Sequence, residues 1–349
     1  MMGAGGWTAW PFLMLADEPE ASGFPWLWVV LAVVAVILVV GLIVFSRYLR
    51  ISLRLFLDTK MPTSPDLGTG KFAGEVLQFP SRDGTSLMGA LAEPPAGVPV
   101  RGTVIFAHEF AGQRDLAARH VGGLAELGFR IFTFDFRGHG ESSNRGHYHP
   151  SHWVTNHEVD DLLAAVAYVE SLAGRDDHPV AVIGVSRGAC AAVLAALQQR
   201  RIRALVLDGV FSTDLMVEDL MRRWAIIFAS SHVANPAHPP AAWATLRALT
   251  ILYAELTARV RYPLVRKALT RLADVPTLFI YGQDDAYVRP AQRTELYRVK
   301  PGAKQLWQVP GARHNQAAAL APEEYRRQTC SFLDKNMPQA VVEGAPHAA

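Results

Sequence analysis

The chain has 349 residues, half of them hydrophobic and 19% charged, with a formal net charge of +2. That is enough for one catalytic-sized domain with appendages, and too little charge, with no long basic run among aromatics, for a nucleic-acid partner. Two cysteines, Cys190 and Cys330, supply neither a disulfide framework nor the paired spacing of a zinc site.

After an N-terminal tail (1–23), the first element is the uncharged run Phe24 to Phe45, which as a helix rises about 33 Å, one hydrocarbon core. Trp26 and Trp28 at one end and Tyr48 at the other stand where amphipathic rings favour the headgroup zone. No Lys or Arg precedes the run, which exceeds a signal peptide's apolar region and lacks its small-x-small exit. The sequence therefore predicts a single-pass membrane helix over 24–46. Asp17, Glu18 and Glu20 before it and Arg47, Arg50, Arg54 and Lys60 after it predict the N-terminus outside and the domain that follows the helix cytoplasmic. Over 47–70, the arginines recur at helical spacing among Tyr48, Leu49, Ile51, Leu53, Leu55 and Phe56. This segment reads equally as a basic helix along anionic headgroups or as a solvated stalk, followed by a linker from Met61 to Gly70.

From Lys71 to Asn336, strand-like and helix-like segments alternate, predicting an α/β domain: a mostly parallel eight-stranded sheet with helices on both faces. Glu75 to Phe79 and Ser86 to Leu91 form an opening antiparallel pair about a turn with Asp83 and Gly84. Parallel strands are expected at Thr103 to Ala107, Arg130 to Phe134, Val180 to Gly184, Ala204 to Leu207, Thr277 to Tyr281 and Gln305 to Val309. Helices are expected at Leu116 to Leu127, His157 to Leu172, Arg187 to Gln199 and Glu323 to Lys335. Between Thr213 and Ala273, long helical patterns split by a loop from Asn235 to Pro240 read as a helical cap insertion. Its Trp224, Ile226, Ile227 and Phe228, with Trp243, Leu246, Leu249, Ile251 and Leu252, either line an acyl-sized pocket or dock the cap on the body. The tail over 337–349 has the composition of a disordered segment.

Chemistry concentrates at strand ends. Gly184-Val185-Ser186-Arg187-Gly188 joins an apolar strand to an Ala-rich helix, the setting in which a sharp turn exposes a serine hydroxyl above a sheet. The helix N-terminus then aims the Arg187 amide at a developing oxyanion. Phe106-Ala107-His108-Glu109-Phe110-Ala111-Gly112 ends the first parallel strand, where the Phe110 amide is the second expected donor. Tyr281-Gly282-Gln283-Asp284-Asp285 brings two carboxylates to the same sheet edge, and residue order alone does not choose between them. His314, in the loop after the last strand, completes the order Ser, Asp, His.

These residues, with the run Gly128 to Ser142, resemble the α/β-hydrolase superfamily, and within it membrane-anchored BEM46-like and serine-aminopeptidase-like hydrolases. The resemblance covers about Glu75 to Leu333. It implies a catalytic triad of Ser186, Asp285 and His314, since the family's aspartate stands three residues after the strand-end glycine. Relatives carry His-Gly where this chain has His108-Glu109, which puts a carboxylate near the site.

The expected activity is serine hydrolysis of esters or thioesters of apolar acyl substrates, lipids among them, through an acyl-enzyme intermediate without metal or organic cofactor. Glu109, Trp224 and Phe228 are the candidate substrate contacts. An aminopeptidase or amidase, with Glu109 holding a substrate amine, and a non-catalytic membrane scaffold are the alternatives. His147, His149, His152 and His157 have the density to hold a transition metal, but they lack cysteine or close carboxylate partners and read as a polar loop beside the pocket. Asp135 and Arg137 read as structural ion-pair or turn residues.

Overall fold

The computed structural model describes residues 26–58, 70–146, 148–172, 178–228 and 240–337. The chain divides into two compact units, Met1–Arg50 and Ile51–Ala349. The expected linker and C-terminal tail lie largely outside the described residues.

Helix α1 (Trp26–Asp58) is, among the described residues, the one helix long and apolar enough to cross a membrane, with a mean hydropathy of 3.3 and none of that window buried. It does not stop at the apolar run. Its last turns belong to the second unit, where Ser52, Leu53 and Phe56 are buried. The Phe56 ring stacks on Trp153 at 4.7 Å and meets Tyr262 edge-on at 5.0 Å, while its carbonyl accepts the Trp153 indole N–H at 2.8 Å. The segment 47–58 continues α1 as a helix, and neither expectation for it includes the packing of its end on the body through partners far along the chain.

The second unit is built on eight strands: β1 (Glu75–Pro80), β2 (Ser86–Ala92), β3 (Gly102–Ala107), β4 (Phe129–Phe134), β5 (Val180–Val185), β6 (Ile202–Asp208), β7 (Thr277–Gly282) and β8 (Lys304–Val309). They form one sheet in the order β1-β2-β4-β3-β5-β6-β7-β8. β2 pairs antiparallel with β1 and β4, and all other pairings are parallel. Every residue of β3, β5 and β7 is buried. Helices cover both faces of such strands, so their sequences run continuously apolar rather than alternating. β1 and β8, at the edges, keep exposed positions.

The helices of this unit are α2 (Ala117–His120), α3 (Asn156–Ser171), α4 (Arg187–Ala196), α5 (Thr213–Phe228), α6 (Pro240–Ala258), α7 (Val265–Leu269), α8 (Pro290–Val299), α9 (Ala317–Leu320) and α10 (Pro322–Asn336). A capping box starts α3: the Thr155 hydroxyl accepts from the His157 amide at 3.1 Å, and Glu158 accepts from the Thr155 amide at 2.8 Å. The helix expected from Leu116 to Leu127 is only α2, followed by turns, because Gly122 and Gly123 interrupt it and Gly123 takes φ 80°. Helices α8 and α9 were not anticipated. Helices α5 to α7 form the insertion between β6 and β7.

The order reverses at β3: from it the chain steps outward to β4, then returns to β5 on its other side. At such a switch point the loops after the two strands part and leave a crevice at their carboxyl ends. The register Ala107↔Gly184↔Leu207 brings the ends of β3, β5 and β6 level, directly before Ser186.

Candidate active site

Ser186 occupies the turn between β5 and α4 with φ 51° and ψ −112°. A positive φ is strained for a residue with a Cβ and persists only where the surroundings impose it. Here the Ser186 amide donates to the Asp208 carbonyl at 2.7 Å. The flanking glycines allow the turn to close: a Cβ on Gly184 would run into the Ala189 backbone, and one on Gly188 into the Ala107 and His108 carbonyl groups.

His314 arrives from the loop after β8, its Nε2 2.9 Å from the Ser186 hydroxyl and its Nδ1 2.8 Å from Asp285 Oδ2. Asp285 is buried and can only accept, so the imidazole proton sits on Nδ1 and Nε2 is left to accept from the serine. Asp285 Oδ1 accepts the amides of Tyr287 and Val288 at 2.8 and 2.9 Å, which fixes the carboxylate. The structure thus separates the two aspartates: Asp284 is exposed, whereas Asp285 faces the histidine. The Tyr287 ring lies 4.9 Å from the imidazole. Gly209, at φ 65°, leaves room where a Cβ would press on His314 Cε1.

Two main-chain amides, those of Phe110 and Arg187, follow the level ends of β3 and β5. Residues 109–112 turn sharply, with Ala111 at φ 60° and the Gly112 amide bonded to the Glu109 carbonyl at 3.1 Å. Among the described residues the amides of Phe110 and Arg187 donate to no other group, and Arg187 opens α4, where first-turn amides have no intrahelical partner. His108 braces the loop: Nδ1–H donates to the Glu109 carbonyl at 2.6 Å, and Nε2 accepts the Phe136 amide at 3.0 Å. Burial, with His139 and Arg187 nearby, holds this imidazole well below its usual pKa, so it stays neutral.

The side chain of Arg187 was not singled out in the sequence. It is fully buried, donates to the Ser151 carbonyl at 2.8 Å and to His139 Nε2 at 3.2 Å, pairs with Glu158 at 3.5 Å, and lies over the rings of Phe110 and Phe136 at 5.3 and 5.5 Å. Burial pushes His139 down to about 4, leaving a neutral ring that can accept from the guanidinium. Arg187 thus links the Phe110 turn, the Arg137–Ser142 loop and the start of α3. The capping-box spacing of Thr155 and Glu158 was the sequence signal for the last of these. Asp135 accepts the Arg114 amide at 2.6 Å and pairs with its guanidinium, so it frames the site rather than entering it.

Glu109 is buried with Asp208. Burial, then the charges of Glu109 and Asp285, hold the Asp208 carboxyl well above the usual range. A folded pKa above the unfolded one gives stability that is complete below the unfolded value, near 4, and is lost as pH rises toward the folded value. Asp208→Asn, neutral at every pH, should therefore melt higher than wild type above about pH 4, with a gain that grows as pH rises. A pH-independent difference in melting temperature would contradict this assignment.

Of the substrate contacts expected from the insertion, Trp224 is half-buried on α5, and the Phe228 side chain lies outside the described residues. Three histidines of the cluster are described, and His149 and His157 line one cavity. His147 is outside the described residues and His149 is exposed. His152 is buried against Trp153, its ring centroid 4.2 Å away, and burial pushes it down to about 3. His157 Nδ1 accepts from Arg137 at 3.0 Å. Among the described residues no group of three or more His, Cys, Asp or Glu is arranged to hold a metal.

A family model described as serine aminopeptidase, S33, matches residues 98–317. An uncharacterised protein, YfhR of Escherichia coli O157:H7, is 26% identical over 307 residues, covering 85% of this chain and 93% of the relative. A Pyrococcus furiosus esterase superposes with a TM-score of 0.56 at 21% identity, over 80% of this chain and 96% of its own. A Mycobacterium smegmatis proline iminopeptidase does so with 0.53 at 19%, over 75% and 98%. At these identities the two structures speak for a shared fold.

Proposed function

The chain belongs to the serine aminopeptidase S33 family of α/β hydrolases, and from that premise we propose that it is a membrane-anchored serine hydrolase of ester or thioester bonds in apolar acyl substrates. The observation that carries the reading is the continuous path from the Ser186 hydroxyl to His314 at 2.9 Å and on to Asp285 at 2.8 Å.

His314 Nε2 takes the Ser186 proton as the hydroxyl oxygen attacks the acyl carbonyl. The Phe110 and Arg187 amides hold the oxyanion, and Asp285 stabilises the imidazolium. As the intermediate collapses, the acyl–leaving-group bond breaks and His314 protonates the departing alcohol or thiol. Water, deprotonated by the same histidine, then releases the acid and restores Ser186. Every proton in the cycle is supplied by the serine, water and histidine.

The apolar insertion between β6 and β7 supports an acyl substrate, with Trp224 and Phe228 as proposed contacts. Helix α1 supports a membrane anchor, and the arginines that follow the apolar run support a cytoplasmic catalytic unit. An aminopeptidase would need a carboxylate free to meet a substrate amine. Glu109, the candidate for that role, is buried beside Asp208.

The test is a substrate panel on the full-length detergent-solubilised protein: p-nitrophenyl esters of two to twelve carbons, acyl thioesters and aminoacyl p-nitroanilides. We expect kcat/KM to rise with acyl length and to exceed that for the anilides at least tenfold. A preference for the anilides would replace this reading with an aminopeptidase.

A further inference from the structure

Helix α6 carries two apolar faces. Trp243, Leu246, Thr250 and Ala254 recur at helical spacing and are buried. On the other side Leu249, Leu252, Tyr253 and Leu256 recur at the same spacing and are 36, 47, 50 and 69% exposed. The charged groups within the helix are engaged elsewhere: Arg247 pairs with Glu218, and Glu255 accepts from Arg261 at 3.1 Å and from the Tyr262 amide at 2.9 Å. The outward stripe therefore has no charge over about two turns. A helix facing water normally carries its charged residues on that side, and a contiguous exposed apolar patch marks an interaction surface.

What covers the patch is indicated by its neighbour. The end of α6 lies beside the last turn of α1: Leu57, Thr257, Ala258, Arg259 and Tyr262 line one cavity of ≈ 850 Å³. Helix α1 is the segment that, on the anchor reading, carries the chain out of the bilayer. Cations sit at this same end of the stripe. Arg259 is exposed and makes no ion pair among the described residues, and the Arg261 side chain is 77% exposed. Leucines with a tyrosine, edged by arginines, have the composition of a helix lying in the headgroup zone, where aromatic rings and long cationic side chains keep their polar ends wet.

We propose that the outer face of α6 rests on the bilayer surface, with Leu249, Leu252, Tyr253 and Leu256 in the headgroup–acyl boundary, as a second membrane contact beside the anchor. The inference rests on α1 being that anchor.

Nitroxide accessibility tests both and tells them apart. Full-length protein with Cys330→Ser is placed one chain per nanodisc of phosphatidylcholine and phosphatidylglycerol. It is spin-labelled singly at Val36→Cys, Leu252→Cys, Leu256→Cys or the exposed Arg327→Cys. Labels at 36, 252 and 256 should be at least threefold less accessible to a nickel chelate, relative to oxygen, than the label at 327. Labels at 252 and 256 as open to nickel as 327, with 36 shielded, would overturn the α6 contact and leave the anchor standing. All four labels open would overturn the anchor reading and this inference together. Shielding at 252 only in discs holding two chains would make a second copy the occupant and also overturn it.

Discussion

Replacing Ser186 by alanine in the full-length protein lowers kcat/KM for its preferred p-nitrophenyl ester by about 10⁴–10⁶-fold, the loss expected when a nucleophile acting as one unit with its base is removed. Fluorophosphonate labelling disappears with it. The fold should survive, because alanine tolerates φ 51° no worse than serine and the deletion removes only the hydroxyl bonded to His314. The melting temperature should correspond to a change within about 1 kcal/mol, the worth of one hydrogen bond. Retained activity in the folded variant would mean that the hydroxyl 2.9 Å from His314 is a bystander. Equal loss of activity and of structure would make the result a folding defect, which thermal melts of both proteins separate.

The second large effect is on stability. The Arg137 side chain is 2% exposed and Asp161 is fully buried, and the two meet through contacts of 2.6, 3.0 and 3.0 Å. Ser81 Oγ accepts from Arg137 at 3.1 Å, and Asp83 pairs with it at 2.8 Å. Through Asp161 on α3 and Asp83 in the β1–β2 turn, this arginine fastens the loop after β4 to two other elements. Asp161→Ala leaves a buried guanidinium without its main counter-charge and should destabilise the fold by about 3–5 kcal/mol, because desolvation of the surviving charge is no longer compensated. Arg137→Met combined with Asp161→Leu, which removes both charges, should recover more than half of that loss in denaturant unfolding. A single variant within about 1 kcal/mol of wild type would show that the pair contributes no more than a surface bridge.

The sheet was legible in the sequence because its buried strands carry their own signature. β3, β5 and β7 are short apolar runs bounded by turn residues, and their ends differ by at most one residue from those expected. The elbow was legible because Gly184 and Gly188 answer a steric need that few other sequences satisfy. Asp284 and Asp285 could not be separated by residue order, since burial decides between them and burial is tertiary. The same limit hid the Arg187 side chain. A buried arginine is tolerated only with partners, and those here, Ser151, His139 and Glu158, lie 36, 48 and 29 positions away. Helix α8 escaped because its exposed, polar sequence has a weak apolar period, although Pro290 at its first turn was a usable start signal. The packing of the end of α1 was not legible because helical periodicity shows which residues share a face and not what that face will meet.

The central claim is that Ser186 forms a covalent acyl-enzyme, and acid-quenched peptide mass spectrometry tests it most directly. Full-length protein mixed with a slow-turnover p-nitrophenyl ester should yield the peptide containing Ser186 with one acyl group added, at a stoichiometry matching the burst of p-nitrophenol. His314→Ala should abolish both adduct and burst. Hydrolysis proceeding at wild-type rate with the acyl group on another residue, or with no acyl-enzyme in single-turnover quenches and no burst, would contradict the account.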